Sequence, residues 1–539
     1  MAPMTTLKRD RFDRSLFESG DNWGCYDYGL SGCALQANIV NLWWKHFVLE
    51  ENMLELDCTV ITPEPALKTS GHVDKFADWM CKGAVKGEYL QADHLVENVL
   101  ENSPKLDEAT AAQYRNILAK IDYYNGPELG DLITKFDIRN PDGNGEILSP
   151  MPFNLMLKST VGPSAASPVY LRPETAQGQF LNFRKLLDFN QGAMPFASAS
   201  INKSYRNEIW PHSSSRTPDG RDRARTFCRV KSRTIDNETL GYFLGRIMLF
   251  LLRIGVDLSK LRFRQHFDNV NEMAHYAYDC WDAELLTSYG WIECVGCADR
   301  SAYDLTVHSK FTGTPLVVRE ALRAGPTKVV CWQQDAKTLQ LVMEALNQPQ
   351  LDTTTPLADG TSSVVELSRD LLTIQKVTRL QTTGEYTPNV IQPSFGIGRL
   401  LYCPLEQTYW HRPQDALSLP FTVAPTTVLI VPITRKLSSR LRALSIANNV
   451  GSSGASIGKR YARIDELDTP LGITVDFDTV ANGSITLRER DTMSQVRGSE
   501  DEVVQAIKNL VDGTESWHQI TQRLARFSAH GQDDNEKGG

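Results

Sequence analysis

Nowhere in this chain do about 18 apolar residues run together, so no membrane-spanning helix is expected. The first sixteen residues mix Lys8, Arg9 and Arg11 with Asp10 and Asp13, and they lack the apolar centre of a secretory signal. Mitochondrial addresses avoid acids, so a cytosolic protein is expected, with a mitochondrial pool left open. There is no excess of positive charge. Fifty-seven Lys and Arg face 65 Asp and Glu, a formal balance of -8. A nucleic acid would therefore have to be met by local basic patches and not by bulk charge. The ten cysteines form no disulfide pattern, and Cys294 and Cys297 make a CxxC with no second pair and no nearby histidines. Buried thiols on a strand account for that spacing better than zinc does. No internal repeat is present.

The 539 residues are enough for two to four domains. Apolar residues at Leu35, Ile39, Leu42, Trp43 and Phe47 have helical spacing, so 34–51 is expected to be a helix. A strand over 54–61 follows, stopped by Thr62-Pro-Glu-Pro65. Residues 82–148 are polar, read as mostly helical, and carry no chemical signature. Strands are expected at 195–209, 291–296 and 389–394, and helices at 240–254 and from 395. Gly, Pro and Thr clusters mark 311–388 as a second insertion. Beyond 414–422 the pattern changes to alternating strands (427–433, 473–478, 484–489) and helices (435–448, 500–512), the signature of a small α/β domain. The tail from 529 is polar and expected to be disordered.

Three segments carry the chemistry: Leu171-Arg-Pro-Glu-Thr-Ala-Gln-Gly178, Ser204-Tyr-Arg-Asn-Glu-Ile209 and Pro393-Ser-Phe-Gly-Ile-Gly-Arg399. Two arginines far apart in the chain could grip one triphosphate, because a planar guanidinium binds phosphate through paired hydrogen bonds and stays charged. A glutamate upstream could hold an amine. Taken singly, each has a bland account: a surface turn for Arg206, and a glycine-softened helix start for Arg399. Glu293, an acid in an apolar strand, needs a partner, and a salt bridge to Arg300 would be the plain structural one.

In this order and wording the segments resemble class II aminoacyl-tRNA synthetases, and within them the dimeric, eukaryotic-type glycyl family. The resemblance implies an α+β catalytic domain, an antiparallel sheet flanked by helices, with insertions and a C-terminal α/β anticodon-binding domain. It divides the chain into 1–81 with the first motif, an insertion at 82–148, a core with the second motif at 149–310, an insertion at 311–388, the third motif at 389–415, and the anticodon domain at 421–528. It implies ATP as substrate, Mg²⁺ as cofactor, glycine and tRNA(Gly) as partners, and a homodimer formed through the helix, strand and proline of the first motif.

Residue by residue, the resemblance assigns Arg206 to the α-phosphate, Glu208 with Asn207 to adenine, and Arg399 to the γ-phosphate. Phe227 would stack on adenine, and Arg223 or Arg225 would meet phosphate. Glu293 would hold Mg²⁺ and ATP, with Cys294 lining the same site. Glu174 would take the substrate ammonium, with Gln392 and Ser394 nearby. In the last domain Lys459, Arg460 and Arg463 would face phosphates and Arg490 would lie near anticodon bases. A solvated helix face is the competing account of those four.

The resemblance breaks at three places. The acidic strand that the family places after its second motif is missing, because Cys228-Arg-Val-Lys-Ser-Arg-Thr-Ile-Asp236 leads directly to a helix. One ammonium-binding glutamate therefore has no counterpart. The family's Glu-Pro-Ser is Gln392-Pro-Ser here, which keeps the shape and loses the charge. The segments 16–25 and 211–222 also differ. A faulty gene model and genuine divergence both explain such abrupt breaks. Two other functions stay open on sequence grounds: a paralogue that binds tRNA without charging it, and a nucleic-acid-binding accessory protein on the same fold.

Overall fold

The computed structural model describes residues 17–19, 26–85, 87, 89–101, 108–118, 121, 124–141, 145–163, 167–207, 221–228, 233–266, 276–288, 290–321, 327–332, 351–356, 362–367, 376–381, 383–410, 416–431, 434–451 and 469–527. Its centre is a seven-stranded sheet built from β1 (Leu54–Glu55), β2 (Phe196–Ser200), β3 (Arg221–Cys228), β4 (Leu261–Gln265), β5 (Asp279–Thr287), β6 (Gly290–Asp299) and β7 (Asn389–Gly396). The spatial order is β4-β5-β6-β7-β3-β2-β1. Every pair is antiparallel except β1 with β2. This is the α+β sheet expected from the motifs.

One face of the sheet is apolar because strand side chains alternate. Ala199, Ala283, Leu285, Val295, Cys297, Ile391 and Phe395 enter one core. Three helices contribute to that core, Leu30–Trp43, Arg233–Arg253 and Ile397–Thr408. The first places Leu35, Ile39 and Trp43 inward at helical spacing, and a π-helical turn, Trp44–Leu49, continues it and buries Phe47. Phe395 closes the packing, with its ring 4.8 Å from Phe47, 5.6 Å from Trp43 and 5.8 Å from Phe250. The helix expected at 34–51 is therefore present, with its last turns widened. The strand expected at 54–61 is shorter: only β1 joins the sheet, and Ile61–Pro63 pairs separately with Ser167–Leu171.

Helices Ala92–Glu101, Glu108–Leu118 and Gly126–Lys135 fill part of the stretch read as helical. They share a core with a three-stranded sheet (Tyr89–Gln91, Ala77–Lys82, Met151–Asn154) that its polar composition does not announce. Residues Val317–Thr387 form a compact unit by themselves. In it three antiparallel pairs are nested, from Val318–Ala321 with Thr383–Tyr386 inward to Leu351–Pro356 with Ser362–Leu367.

The C-terminal part has its own core. Strands β8 (Val428–Val431), β9 (Asn448–Val450), β10 (Leu471–Thr474), β11 (Ser484–Glu489), β12 (Gln495–Ser499) and β13 (Ala525–Arg526) lie in the order β9-β8-β10-β11-β12-β13. The first three are parallel and the rest antiparallel. Helix Glu500–Asp512 starts on a Ser499–Glu502 capping box and ends at Gly513, which takes φ +72°. The segment joining the two cores is held on both sides. Asn38 Nδ2 donates to the carbonyls of Val423 and Ala424 at 3.2 and 2.9 Å, and Thr422 Oγ1 donates to the Arg253 carbonyl at 2.8 Å.

Candidate active site

The second face of the central sheet is polar at one end. Strands β2 and β7 run in the same direction, since each is antiparallel to β3. The loop with Arg206 and the helical turn with Arg399 therefore leave the sheet at the same end. A row crosses it there: Ser200 pairs with Arg223, Arg223 with Ser394, Ser394 with Gly296, and Gly296 with Asp282. Ser200, Ser394, Gly296 and Asp282 thus share one face. Gly296 leaves room in the row, for an added Cβ would stand 3.4 Å from Asp282 Oδ1 and 3.6 Å from Glu293 Oε1.

A register shift between Ala283 and Glu284 lets Glu293 join this face, because an extra residue in one strand re-aims its neighbours. Glu293 is met by Arg399, whose Nη1 donates to the Glu293 carbonyl at 2.6 Å and lies 3.4 Å from its Oε2. Asp282 accepts from His266 Nε2 at 2.6 Å. Burial pushes the Asp282 carboxyl above its usual range, the His266 bond pulls it back, and Glu293 adds repulsion. Burial and the neighbouring Asp282 and Glu293 push the Cys280 thiol up to about 12.

Deeper on the same face lies a buried polar network. Glu174 Oε1 receives Gln177 Nε2 at 3.2 Å and faces His72 Nε2 at 3.3 Å. Ser70 Oγ lies 2.8 Å from the other nitrogen of His72. Gln177 also donates to Asp304 Oδ1 at 3.1 Å and meets His308 Nε2 at 2.7 Å through its own oxygen. Burial holds the His308 pKa below the ordinary range, so the ring is neutral and donates. Asp304 takes Arg300 in a fork, Nε at 2.7 Å and Nη2 at 3.0 Å. Arg300 Nη1 donates to Gln392 Oε1 at 2.7 Å, and its guanidinium lies 3.6 Å from the Tyr276 ring centre. Burial works against the Arg300 charge, yet Asp304, Tyr276 and Glu174 raise its pKa further.

The Arg206 loop is pinned from below. Arg172 Nε donates to the Lys203 carbonyl at 2.8 Å, its Nη1 to the Cys58 carbonyl at 2.5 Å, and Tyr205 N donates to the Arg172 carbonyl at 2.9 Å. The Arg206 guanidinium sits 4.9 Å from the Phe76 ring centre. Asn207 donates to the Asn154 carbonyl at 3.2 Å.

Glu174, Gln392, Arg300 and Asp304 thus belong to one network, and Glu293 and Arg399 to one pair. Three expectations need correction, and for a fourth residue, Gln392, the structure adds a constraint. Cys294 does not line the site: its side chain is buried in the apolar core with Sγ 3.6 Å from Cys403 Sγ, because the bulge that turns Glu293 outward turns its neighbour inward. Glu293 pairs with Arg399 and not with Arg300. Gln392 has its acceptor oxygen occupied by Arg300. Arg490 is not offered to a nucleic acid: it is buried, forked onto Asp491 at 3.0 and 2.9 Å, with Nη2 3.4 Å from the Leu419 carbonyl. Glu208, Lys459, Arg460 and Arg463, and the side chains of Arg223, Arg225 and Phe227, lie outside what the structure describes. Sequence reasoning missed His72, Gln177, Arg300, Asp304, His308 and Asp282 as members of the site. Only the Arg300–Asp304 spacing, one helical turn beside an apolar strand, was a local signal.

Comparison with known proteins places this geometry in a family. Residues 421–510 match the anticodon binding domain family. The chain is 45% identical to a protein of Schizosaccharomyces pombe over 97% of this chain and 96% of that one. It is 44% identical to Saccharomyces cerevisiae glycine–tRNA ligase 1, mitochondrial (95% and 90%), and 40% identical to Drosophila melanogaster glycine–tRNA ligase (98% and 79%). The alignment with the S. pombe protein runs over 644 positions against 539 residues here, so that protein has stretches with no counterpart in this chain. Among solved structures, Giardia lamblia prolyl-tRNA synthetase in complex with prolyl-adenylate aligns with a TM-score of 0.48 at 12% identity, over 93% of this chain and 79% of that one, too loose a likeness to argue from. With relatives of this identity aligned along nearly its whole length, the chain belongs to the glycine–tRNA ligase family, a class II aminoacyl-tRNA synthetase family.

Proposed function

We propose that this chain activates glycine with ATP and transfers it to tRNA(Gly). The observation that carries the reading is the linkage of a buried carboxylate, Glu174, through Gln177, Asp304 and Arg300 to the same sheet face that carries the Arg399–Glu293 pair. One end of this arrangement suits an amine, and the other suits a polyphosphate. The glycine carboxylate attacks the α-phosphorus of ATP, the bond to the β-phosphate oxygen breaks, and pyrophosphate leaves. The terminal ribose hydroxyl of the tRNA then attacks the acyl carbon, and AMP departs. Both partners in the first step are anions, so fixed positive charge and alignment dominate the barrier.

In this reading Arg206 meets the α-phosphate and Arg399 the γ-phosphate, with Asn207, Glu208 and Phe227 around adenine and Arg223 or Arg225 at phosphate. Glu174 takes the ammonium, and Ser394 lines the substrate end. Glu293 and Asp282 offer carboxylate oxygens on either side of Gly296, a donor set that fits a hard cation such as Mg²⁺. When bound, that ion would supply neutralising charge for the phosphates. Lys459, Arg460 and Arg463 would meet tRNA phosphates. A homodimer through the first-motif region is supported by the exposure of large apolar side chains there, Leu30 at 89% and Leu49 at 62%. No helix among the described residues is long and apolar enough to cross a membrane. We place the protein in the cytosol, and a mitochondrial pool is consistent with the printed name of the first yeast relative.

Glycine-dependent exchange of pyrophosphate into ATP tests the reading. Arg399→Ala and Arg206→Ala should each lower exchange by about 100-fold or more, as removal of one preorganised charge contact does elsewhere. Absence of exchange by folded protein that still binds tRNA(Gly) would replace this reading with a non-charging tRNA binder.

A further inference from the structure

We propose that His266, Cys280 and Asp282 form a site for a thiophilic divalent ion of the Zn²⁺ class at the edge of the central sheet. Asp282 also fronts Gly296, but His266 and Cys280 have no part in the glycine-activation reading. Cys280 and Asp282 are alternate residues of β5 and so point to one face. His266 directly follows β4, the edge strand, and its backbone N donates to the Cys280 carbonyl at 2.9 Å. This brings a ring nitrogen of His266, Cys280 Sγ and a carboxylate oxygen of Asp282 within 4.8 Å of one another. No other trio of histidine, cysteine or carboxylate side chains among the described residues converges in this way.

The donor types select the ion. Thiolate, imidazole and carboxylate together are a zinc set, whereas Mg²⁺ and Ca²⁺ take oxygen ligands. In a tetrahedral site, ligands about 2.0–2.3 Å from the ion stand about 3.3–3.7 Å from one another. His266 Nε2 and Asp282 Oδ2, 2.6 Å apart in the empty site, would part slightly to admit it, and Cys280 Sγ would close in by side-chain rotation. Three protein ligands leave a fourth position for water. On binding, the thiol proton goes to solvent and the imidazole proton shifts from Nε2 to Nδ1.

The surroundings suit a cation. Asp282 and Glu293 flank Gly296 and keep this corner negative. Arg264 Nη2 approaches Asp282 at 3.7 Å, but its Nε is held by Glu284 at 2.9 Å, so its charge is already matched. The His266 and Asp282 side chains are 15% and 7% exposed, and Cys280 is a half-buried free thiol. The site is thus sheltered, yet reachable from the open edge of the sheet. A bare His266–Asp282 hydrogen bond would account for two of these residues and gives no reason for a thiol within their reach.

The test uses the full chain, reduced and metal-free, with Co²⁺ as the probe, because thiolate bound to Co²⁺ shows a sulfur-to-metal charge-transfer band. The chain should develop this band on titration and lose it when Zn²⁺ displaces Co²⁺. Cys280→Ser should abolish the band. His266→Gln and Asp282→Asn should each weaken Co²⁺ binding at least about tenfold, the loss caused elsewhere by removing even an outer partner of a metal site. In the unsubstituted chain, Zn²⁺ should slow alkylation of Cys280 by iodoacetamide, followed by mass spectrometry at that residue, a readout that needs no variant to fold. A band that persists in folded Cys280→Ser, Co²⁺ affinity unchanged in the other two variants, or alkylation of Cys280 at the same rate with and without Zn²⁺ overturns the proposal. Pyrophosphate exchange enters none of these readouts, so their failure leaves the proposed function standing.

Discussion

Arg300 is 1% exposed and has Asp304 as its counter-charge. Removing one member of such a pair strands the other in a dry interior, which costs about 3–5 kcal/mol. Arg300→Met alone should therefore lower the urea midpoint sharply, and R300M/D304L should recover most of the loss. The same residue marks the limit of what the chain's text reveals. Glu174, Arg206 and Arg399 stand inside local phrases whose neighbours announce them. Arg300, Gln177 and His308 are joined by side-chain bonds between residues about 90 to 130 positions apart, and no short window contains two ends of such a bond. Cys294 misleads for a related reason. Its position beside Glu293 was visible, but the bulge that sends the two side chains to opposite faces is a property of the pairing with β5 and not of either residue.

At the scale of elements, the helix expected at 435–448 stops at Ala443 and Asn448–Val450 is a strand, whereas the helices Leu30–Trp43 and Glu500–Asp512 followed their apolar periods closely, since amphipathic spacing survives into the fold whenever one face is buried. The small sheet around Ala77–Lys82 did not, because its strands are short and half-covered. The widened turn Trp44–Leu49 adds a titratable feature. His46 is buried, and Arg253 Nη1 donates to its Nδ1 at 2.8 Å, so the ring is neutral with its proton on Nε2, facing the Arg246 carbonyl. Burial, outweighing that hydrogen bond, lowers its pKa to about 4. The unfolded chain then binds a proton that the native state refuses, so stability must fall as pH drops from about 6.5 through 4. Glu50 acts lower on the scale. Against the opposing pull of burial, Arg246 and Arg253 hold it at about 2, and its contribution is lost below about 4.5. Thermal melts between pH 7 and 4 should show the decline in wild type, and His46→Gln should flatten the part between 6.5 and 4. Gly178→Ala is a steric test of the neighbouring motif: the new Cβ would lie 2.6 Å from Cys58 Sγ, and the melting point should drop, with partial recovery in Cys58→Gly.

On the scale of the whole molecule, the two cores of the central sheet and the C-terminal domain meet through a short segment gripped at several points. Gly255, at φ +94°, leaves space for Pro420, and a Cβ there would come within 2.5 Å of its ring. Gly255→Ala should cost about 1–3 kcal/mol from backbone strain alone, seen as a lowered denaturation midpoint, and the clash with Pro420 adds to it. Arg490 and Asp491 hold the other side, with Ser418 Oγ donating to Asp491 at 2.8 Å. Asn38 is the member of this joint with the longest reach, because it sits on the helix whose exposed end begins at Leu30. In the proposed homodimer a single rod would therefore serve both as bracket for the C-terminal domain and as bearing surface toward the second subunit. In that assembly a push on the far domain would have a short lever to the subunit boundary, and Asn38→Ala, which removes both bonds to the joining segment, would blunt it before it touched any substrate.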